Sequence, residues 1–223
     1  MRLLVFGATG TSGAEVIRQA ILDPEVTEIY AVVRRPLKIS NIKLKVIEHE
    51  NFLDYSNLFE IFKNIDICAW CLGVSQTQVN SQELHIITFN YTLAGADAIL
   101  KANPKVKFLF QSGAGADLSE KSSVPFEKEK GMTENALIKK FSAYPWAKLF
   151  IARPAGIQPI HLNKNTALVN KFIAPFYPLI KFFAPKLVIT SVELAKAILN
   201  ILKYGYKTSI LTNQDLKNLA TKK

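Results

Sequence analysis

Arg2-Leu3-Leu4-Val5-Phe6-Gly7-Ala8-Thr9-Gly10-Thr11-Ser12-Gly13-Ala14 runs four apolar residues directly into three glycines spaced three apart. The short apolar run reads as a buried strand. The stretch after the glycines, with Ala14, Ile17, Ala20 and Ile21 on one face, reads as a helix that starts near Ser12 and stops at Asp23-Pro24. Glycines between a strand and a helix let the backbone turn sharply and approach a pyrophosphate closely. The free N–H groups and positive end of the helix then face the negative charge. Thr9, Thr11 and Ser12 add hydroxyl donors. The spacing G-x-x-G-x-x-G differs from the G-x-G-x-x-G fingerprint, so the order strand, turn, helix carries the reading.

Outward from this turn, short apolar runs alternate with longer amphipathic ones, the pattern of β-α units stacked into a parallel sheet covered on both faces. Strands are expected at 2–6, 28–33, 44–47, 66–71, 106–111 and 147–152. Helices are expected after Asp54, with Leu58, Ile61 and Phe62 inward; from Ser81, acting as the cap, to about Ala102; from about Phe126 to Phe141; and from Val192 to Leu202. Beyond Arg153-Pro154 the alternation gives way to a Phe-, Pro- and Lys-rich segment, read as a small irregular cap over about 157–190. The fold class is therefore α/β, a Rossmann-like doubly wound parallel sheet, in one domain spanning 1–223.

The end of the second strand bears on the ligand. Folds of this kind that bind NAD place an acid there, about 20 residues beyond the glycines, against a ribose hydroxyl. This chain has Arg34 and Arg35. A guanidinium matches a 2′-phosphate in charge and fork geometry, which favours NADP over NAD.

Composition excludes several other classes. A hydrophobic share of 49% and a charged share of 21% fit a globular chain. The net charge of +10 comes from scattered lysines without the basic stripe of a nucleic-acid groove. Cys68 and Cys71 share a C-x-x-C spacing, but in a buried strand residues three apart face opposite sides, so their sulfurs diverge. His49, His85 and His161 are isolated from one another, so no metal site is expected. The absence of a disulfide framework, a signal sequence and a long apolar span points to the cytoplasm without stable membrane insertion. The expected partners are a small-molecule substrate and no nucleic acid, with the chain a monomer or homodimer.

Gly7-x-x-Gly10-x-x-Gly13 after a first strand, followed in order by Ser112, Lys130 and Arg153-Pro154-Ala155-Gly156, resembles the atypical short-chain dehydrogenase/reductases. Within them it is similar to the branch of Tat-interacting-protein-like oxidoreductases. The likeness covers about residues 1 to 205. The resemblance implies that Asn51 and Phe52 meet the adenine, with Asn in place of the usual acid, and that Cys71, Leu72 and Gly73 lie along the cofactor ribose. It implies that Ser112 hydrogen-bonds a substrate carbonyl, that Lys130 holds the nicotinamide ribose, and that Pro154, Ala155 and Gly156 line the nicotinamide. Asn90 either supports the active site or is structural.

The family's general acid is a tyrosine four residues before the lysine, and this chain has Phe126 there. Losing a positioned acid forfeits about a hundredfold to ten-thousandfold in rate. Two main functions follow: an NADP-dependent oxidoreductase using Ser112 and Lys130 with another proton source, on a small carbonyl, alcohol or nucleotide-sugar-like substrate; or a non-catalytic NADP(H) sensor of the NmrA-like kind. A third reading places the basic, aromatic segment Lys171 to Lys186 on a membrane surface, although its three prolines oppose a regular helix.

Overall fold

The apolar runs form strands in a computed structural model, which describes residues 1–37, 39–161, 184 and 187–221. They are β1 (Arg2–Phe6), β2 (Glu28–Val33), β3 (Leu44–Glu48), β4 (Ile67–Trp70), β5 (Lys107–Gln111) and β6 (Lys148–Ala152). Two short strands, β7 (Gly156–Gln158) and β8 (Val188–Thr190), pair with each other apart from them, and β9 (Ile210–Leu211) extends the main sheet beyond β6. The order in the sheet is β3-β2-β1-β4-β5-β6-β9, every pairing parallel. Strand order therefore reverses between β1 and β4, the position where doubly wound folds open a ligand crevice.

The helices are α1 (Thr11–Leu22), α2 (Phe59–Phe62), α3 (Ser81–His85), α4 (Tyr91–Ala102), α5 (Pro125–Phe141), α6 (Ser191–Tyr204) and α7 (Asn213–Ala220). Alternate strand residues sort into two cores. Leu3, Val5, Ile67 and Ala69 pack with residues of α1, α6 and α7, whereas Leu4, Phe6, Cys68 and Trp70 pack with residues of α2, α4 and α5. Cys68 belongs to the second core and Cys71 rests against the first, so the two free thiols lie on opposite faces.

Two local features differ from the sequence expectation. The cap of the third helical stretch is Asn80 and not Ser81: the Asn80 side chain accepts from the Glu83 N–H and the Glu83 carboxylate accepts from the Asn80 N–H. That reciprocal pairing satisfies two otherwise free donors, which Ser81, one position inside the helix, cannot do. The stretch is also interrupted by a π-helical turn over Ile86–Asn90, which ends at the half-buried Asn90. Of the expected cap, β7 and β8 are described; most of 157–190, including nearly all of the Lys171 to Lys186 segment, lies outside the described residues. Among the described residues no helix is long and apolar enough to cross a membrane.

Candidate functional site

β1 delivers the chain to Gly7 at the carboxyl end of the sheet, beside the segment that follows β4. Gly7 has φ +76°, and a β-carbon there would lie 2.5 Å from the carbonyl oxygen of Cys71. At Gly13 a β-carbon would lie 2.3 Å from the carbonyl oxygen of Gly7. The turn thus closes on itself through backbone contacts that any side chain would obstruct. It is fastened by Gly10 N–H donating to the Gly7 carbonyl at 2.9 Å and Ala14 N–H to the Gly10 carbonyl at 3.0 Å. Gly10 caps α1 with extended backbone, and no side chain hydrogen-bonds that cap. The amino end of a twelve-residue helix therefore opens at the β1/β4 reversal. Thr9 and Thr11 in this turn are half-buried and Ser12 is buried.

The neighbouring strand ends complete one side of the crevice. Arg34 and Arg35 follow β2 and are exposed. Asn51 is exposed, with its side-chain oxygen accepting from the Leu53 N–H at 3.1 Å. Phe52 is buried among aromatic rings, 6.4 Å from Phe6 and 5.5 Å from Tyr91. Cys71 N–H donates to the Phe6 carbonyl at 3.1 Å, and burial pushes its thiol up to about 12. Leu72 is half-buried and Gly73 exposed.

Lys130 comes from the first half of α5 and is 4% exposed. Its Nζ donates to the Gln111 carbonyl at 2.9 Å and sits 4.6 Å from the centre of the Phe110 ring and 5.7 Å from that of Phe126. A β-carbon on Gly73 would lie 3.8 Å from this nitrogen. Burial lowers the lysine to about 8, against the opposing pull of Glu134 and Cys71.

Ser112 follows β5 directly, its hydroxyl donating to Glu134 Oε1 at 2.5 Å. Glu134 is fully buried one helical turn beyond Lys130. Its carboxylate also accepts from Arg153 Nε at 3.0 Å and from the guanidinium's Nη2 at 2.5 Å. This Ser112–Glu134–Arg153 network escaped sequence reasoning, because nothing in a helix-interior glutamate announces a partner on a strand end. Gly113 follows Ser112, and a β-carbon on it would point at Phe126, 2.8 Å from the ring. Pro154 accepts the Ala114 N–H at 2.9 Å, Ala155 N–H donates to Asn213 Oδ1 at 3.0 Å, and Gly156 begins β7.

A cavity of about 420 Å³ opens here, its wall including Gln111, Ser112, Phe126, Glu127, Pro154 and Ala155. The structure therefore gathers Ser112, Pro154 and Ala155 around one cavity, with the Lys130 ammonium 5.7 Å from the centre of the Phe126 ring in its wall, and places the glycine turn at the β1/β4 reversal. Phe52 is buried beside Phe6. Among the described residues no three His, Cys, Asp or Glu side chains could hold a metal.

No protein-family model and no curated protein matches the sequence. Solved structures match in fold. The UDP-glucose 4-epimerase of Thermotoga maritima, solved with UDP-glucose, is 16% identical, with a TM-score of 0.69 over 99% of this chain and 81% of that one. A monomeric L-threonine 3-dehydrogenase from a metagenome is 14% identical, with a TM-score of 0.70 over 97% of this chain and 80% of that one. A short chain dehydrogenase from Burkholderia cenocepacia, solved with NADP, is 13% identical, with a TM-score of 0.66 over 97% and 90%. The architecture of this chain is the Rossmann-like fold that these structures share.

Proposed function

We propose that the protein binds NADP(H) across the β1/β4 reversal and acts as an oxidoreductase of the short-chain dehydrogenase kind, on a small carbonyl or alcohol substrate held in the cavity beside Phe126. The observation that carries this is the glycine turn: a left-handed Gly7, a Gly13 without room for a β-carbon, and an α1 amino end that no side chain caps. A helix amino end of this kind, reached through a glycine turn, fits a diphosphate. Arg34 and Arg35, exposed at the end of β2, fit the additional phosphate of NADP and favour it over NAD.

In this reading Gly7, Thr9, Gly10, Thr11, Ser12 and Gly13 hold the diphosphate, while Asn51 and Phe52 border the adenine. Cys71, Leu72, Gly73 and Lys130 border the ribose next to the nicotinamide, with Pro154, Ala155 and Gly156 beside its ring. When bound, the nicotinamide supplies or accepts a hydride at the substrate carbon. The protein must position that carbon and move a proton at the adjacent oxygen. Phe126 offers no proton, and the Ser112 hydroxyl is directed into the Glu134 carboxylate. Lys130, which exchanges its proton at about 8 and lies 5.7 Å from the Phe126 ring, is the proton group this reading assigns, acting through a water or a hydroxyl.

One observation favours a second reading, a dinucleotide sensor without turnover. Gly113 and Phe126 face each other and neither carries a hydroxyl. Following NADPH oxidation with a panel of carbonyl compounds, for wild type and Phe126→Tyr, separates the two. The oxidoreductase reading expects slow turnover that rises about a hundredfold in the tyrosine variant. Tight NADPH binding with no turnover in either protein would reject it in favour of the sensor.

A further inference from the structure

A second cavity, of about 670 Å³, lies at the opposite end of the sheet from the glycine turn, where β5, β6 and β9 begin. Its wall includes Lys107, Lys148, Lys207, Phe150, Tyr204 and Tyr206. Lys107 and Lys148 are the first residues of β5 and β6 and stand directly opposite each other in the register of that parallel pair. Register partners point to the same face, on strands about 4.8 Å apart. That face is the one α6 covers, since Leu109 and Phe150, two residues further on, pack into its core. The third lysine follows the left-handed Gly205 (φ +77°), which turns the chain out of α6 and along the rim of the cavity. Distant in sequence, the three cations meet only in the fold.

Local bonding accounts for one of them. Lys107 is half-buried, and its Nζ donates to the Lys203 carbonyl at 2.7 Å, at the negative end of α6. Lys148 is exposed and makes no hydrogen bond or ion pair among the described residues. Placed beside Lys107, it adds repulsion between like charges on adjacent strands. The carboxylates bonded to this wall are shared with other groups. Glu25 accepts the Tyr204 hydroxyl and pairs with Lys203 at 2.9 Å. Asp215 accepts the hydroxyls of Tyr206 and Thr212, with Lys207 in electrostatic reach. A bound dianion would give Lys107 and Lys148 a common partner and convert their repulsion into attraction. Beside the cations, Phe150 and the tyrosine rings supply apolar surface, and Tyr204 is 67% exposed.

We propose that this cavity is a second ligand site, for a small phosphate ester carrying an aromatic ring, with the phosphate on Lys107, Lys148 and Lys207 and the ring against Tyr204 and Tyr206. The site is separate from the dinucleotide crevice, which opens at the carboxyl ends of the strands, and does not depend on what that crevice binds.

Calorimetric titration with phenyl phosphate, inorganic phosphate and benzyl alcohol tests it. The proteins are wild type, Lys148→Gln, Lys207→Gln and, as a control for lost charge, Lys121→Gln, which alters an exposed lysine in the loop before α5. Phenyl phosphate is expected to bind wild type at least about tenfold more tightly than inorganic phosphate or the alcohol. Lys148→Gln and Lys207→Gln are each expected to weaken it about tenfold, and Lys121→Gln to leave it unchanged. Without ligand, Lys148→Gln is expected to melt about 1–3 °C above wild type, because the repulsion with Lys107 is gone. The same melts show that each variant has folded. No binding at millimolar phenyl phosphate, or an affinity unchanged in Lys148→Gln, as binding at the glycine turn would give, would overturn the site. An equal loss of affinity in Lys121→Gln and Lys148→Gln would overturn it as well. A short oligothymidylate that binds more tightly than phenyl phosphate, and loses affinity in the Lys148 and Lys207 variants, would overturn the small-ester class in favour of a nucleic-acid strand.

Discussion

Lys130→Met is expected to stabilise the fold at neutral pH while weakening dinucleotide binding. Lys130 is 4% exposed, has no carboxylate in hydrogen-bond contact, and titrates at about 8 against an ordinary 10.5. At pH 7 the group is protonated in both folded and unfolded chains, and the folded protein bears the whole cost of burying the charge. Between about pH 8 and 10.5 the unfolded chain retains a proton that the folded one has released. Stability therefore rises with pH through that window, by up to about 1.4 kcal/mol per unit. By pH 10 this amounts to about 2–3 kcal/mol relative to pH 7. Methionine has no proton to exchange, so the variant lacks this rise. At pH 7 it avoids the buried charge but loses the 2.9 Å bond to the Gln111 carbonyl, a net gain of about 1–2 kcal/mol. Urea unfolding of both proteins at pH 7 and pH 10 measures the effect, other titrating groups cancelling in the comparison. A wild-type gain over the variant of about 2–3 kcal/mol between the two pH values is expected. A difference near zero would refute the claim that this ammonium is held in a desolvated site.

Gly13→Ala would set a β-carbon 2.3 Å from the Gly7 carbonyl oxygen, whereas Gly10→Ala meets the same atom at 3.3 Å. The first is expected to lower stability by about 1–3 kcal/mol and the second by less, in parallel thermal melts. Arg34→Ala and Arg35→Ala together should weaken NADPH by about tenfold to a hundredfold and leave NADH nearly unchanged, as read by fluorescence titration. Glu134→Ala would strand the buried part of Arg153 and the Ser112 hydroxyl. A loss of about 3–5 kcal/mol in urea unfolding is expected.

The strands were legible because a sheet buried on both faces requires apolar runs, and 67–72 supplies an unbroken one around β4. The divergence of Cys68 and Cys71 followed from strand periodicity alone. The boundary at Asn80 was less legible, since Asn80 and Ser81 are both good capping residues and only the reach of Glu83 distinguishes them. The glycine turn could be read from its neighbours in sequence, but the Ser112–Glu134–Arg153 network could not. Its members come from the residue after β5, from α5 and from the residue after β6, and only tertiary packing brings them together. Phe52 illustrates the same limit: its place after β3 is legible, but its burial against Phe6 depends on how that loop folds back. β7 and β8 are three residues each and pair across about thirty intervening residues, too short to show a period.

The most direct test of the account is a fluorescence titration of ligand-free protein with NADPH and NADH, repeated with Gly13→Ala. The glycine turn and its two arginines predict saturable NADPH binding, tighter than NADH, that the alanine greatly weakens. No binding of either dinucleotide by the folded wild type would contradict it.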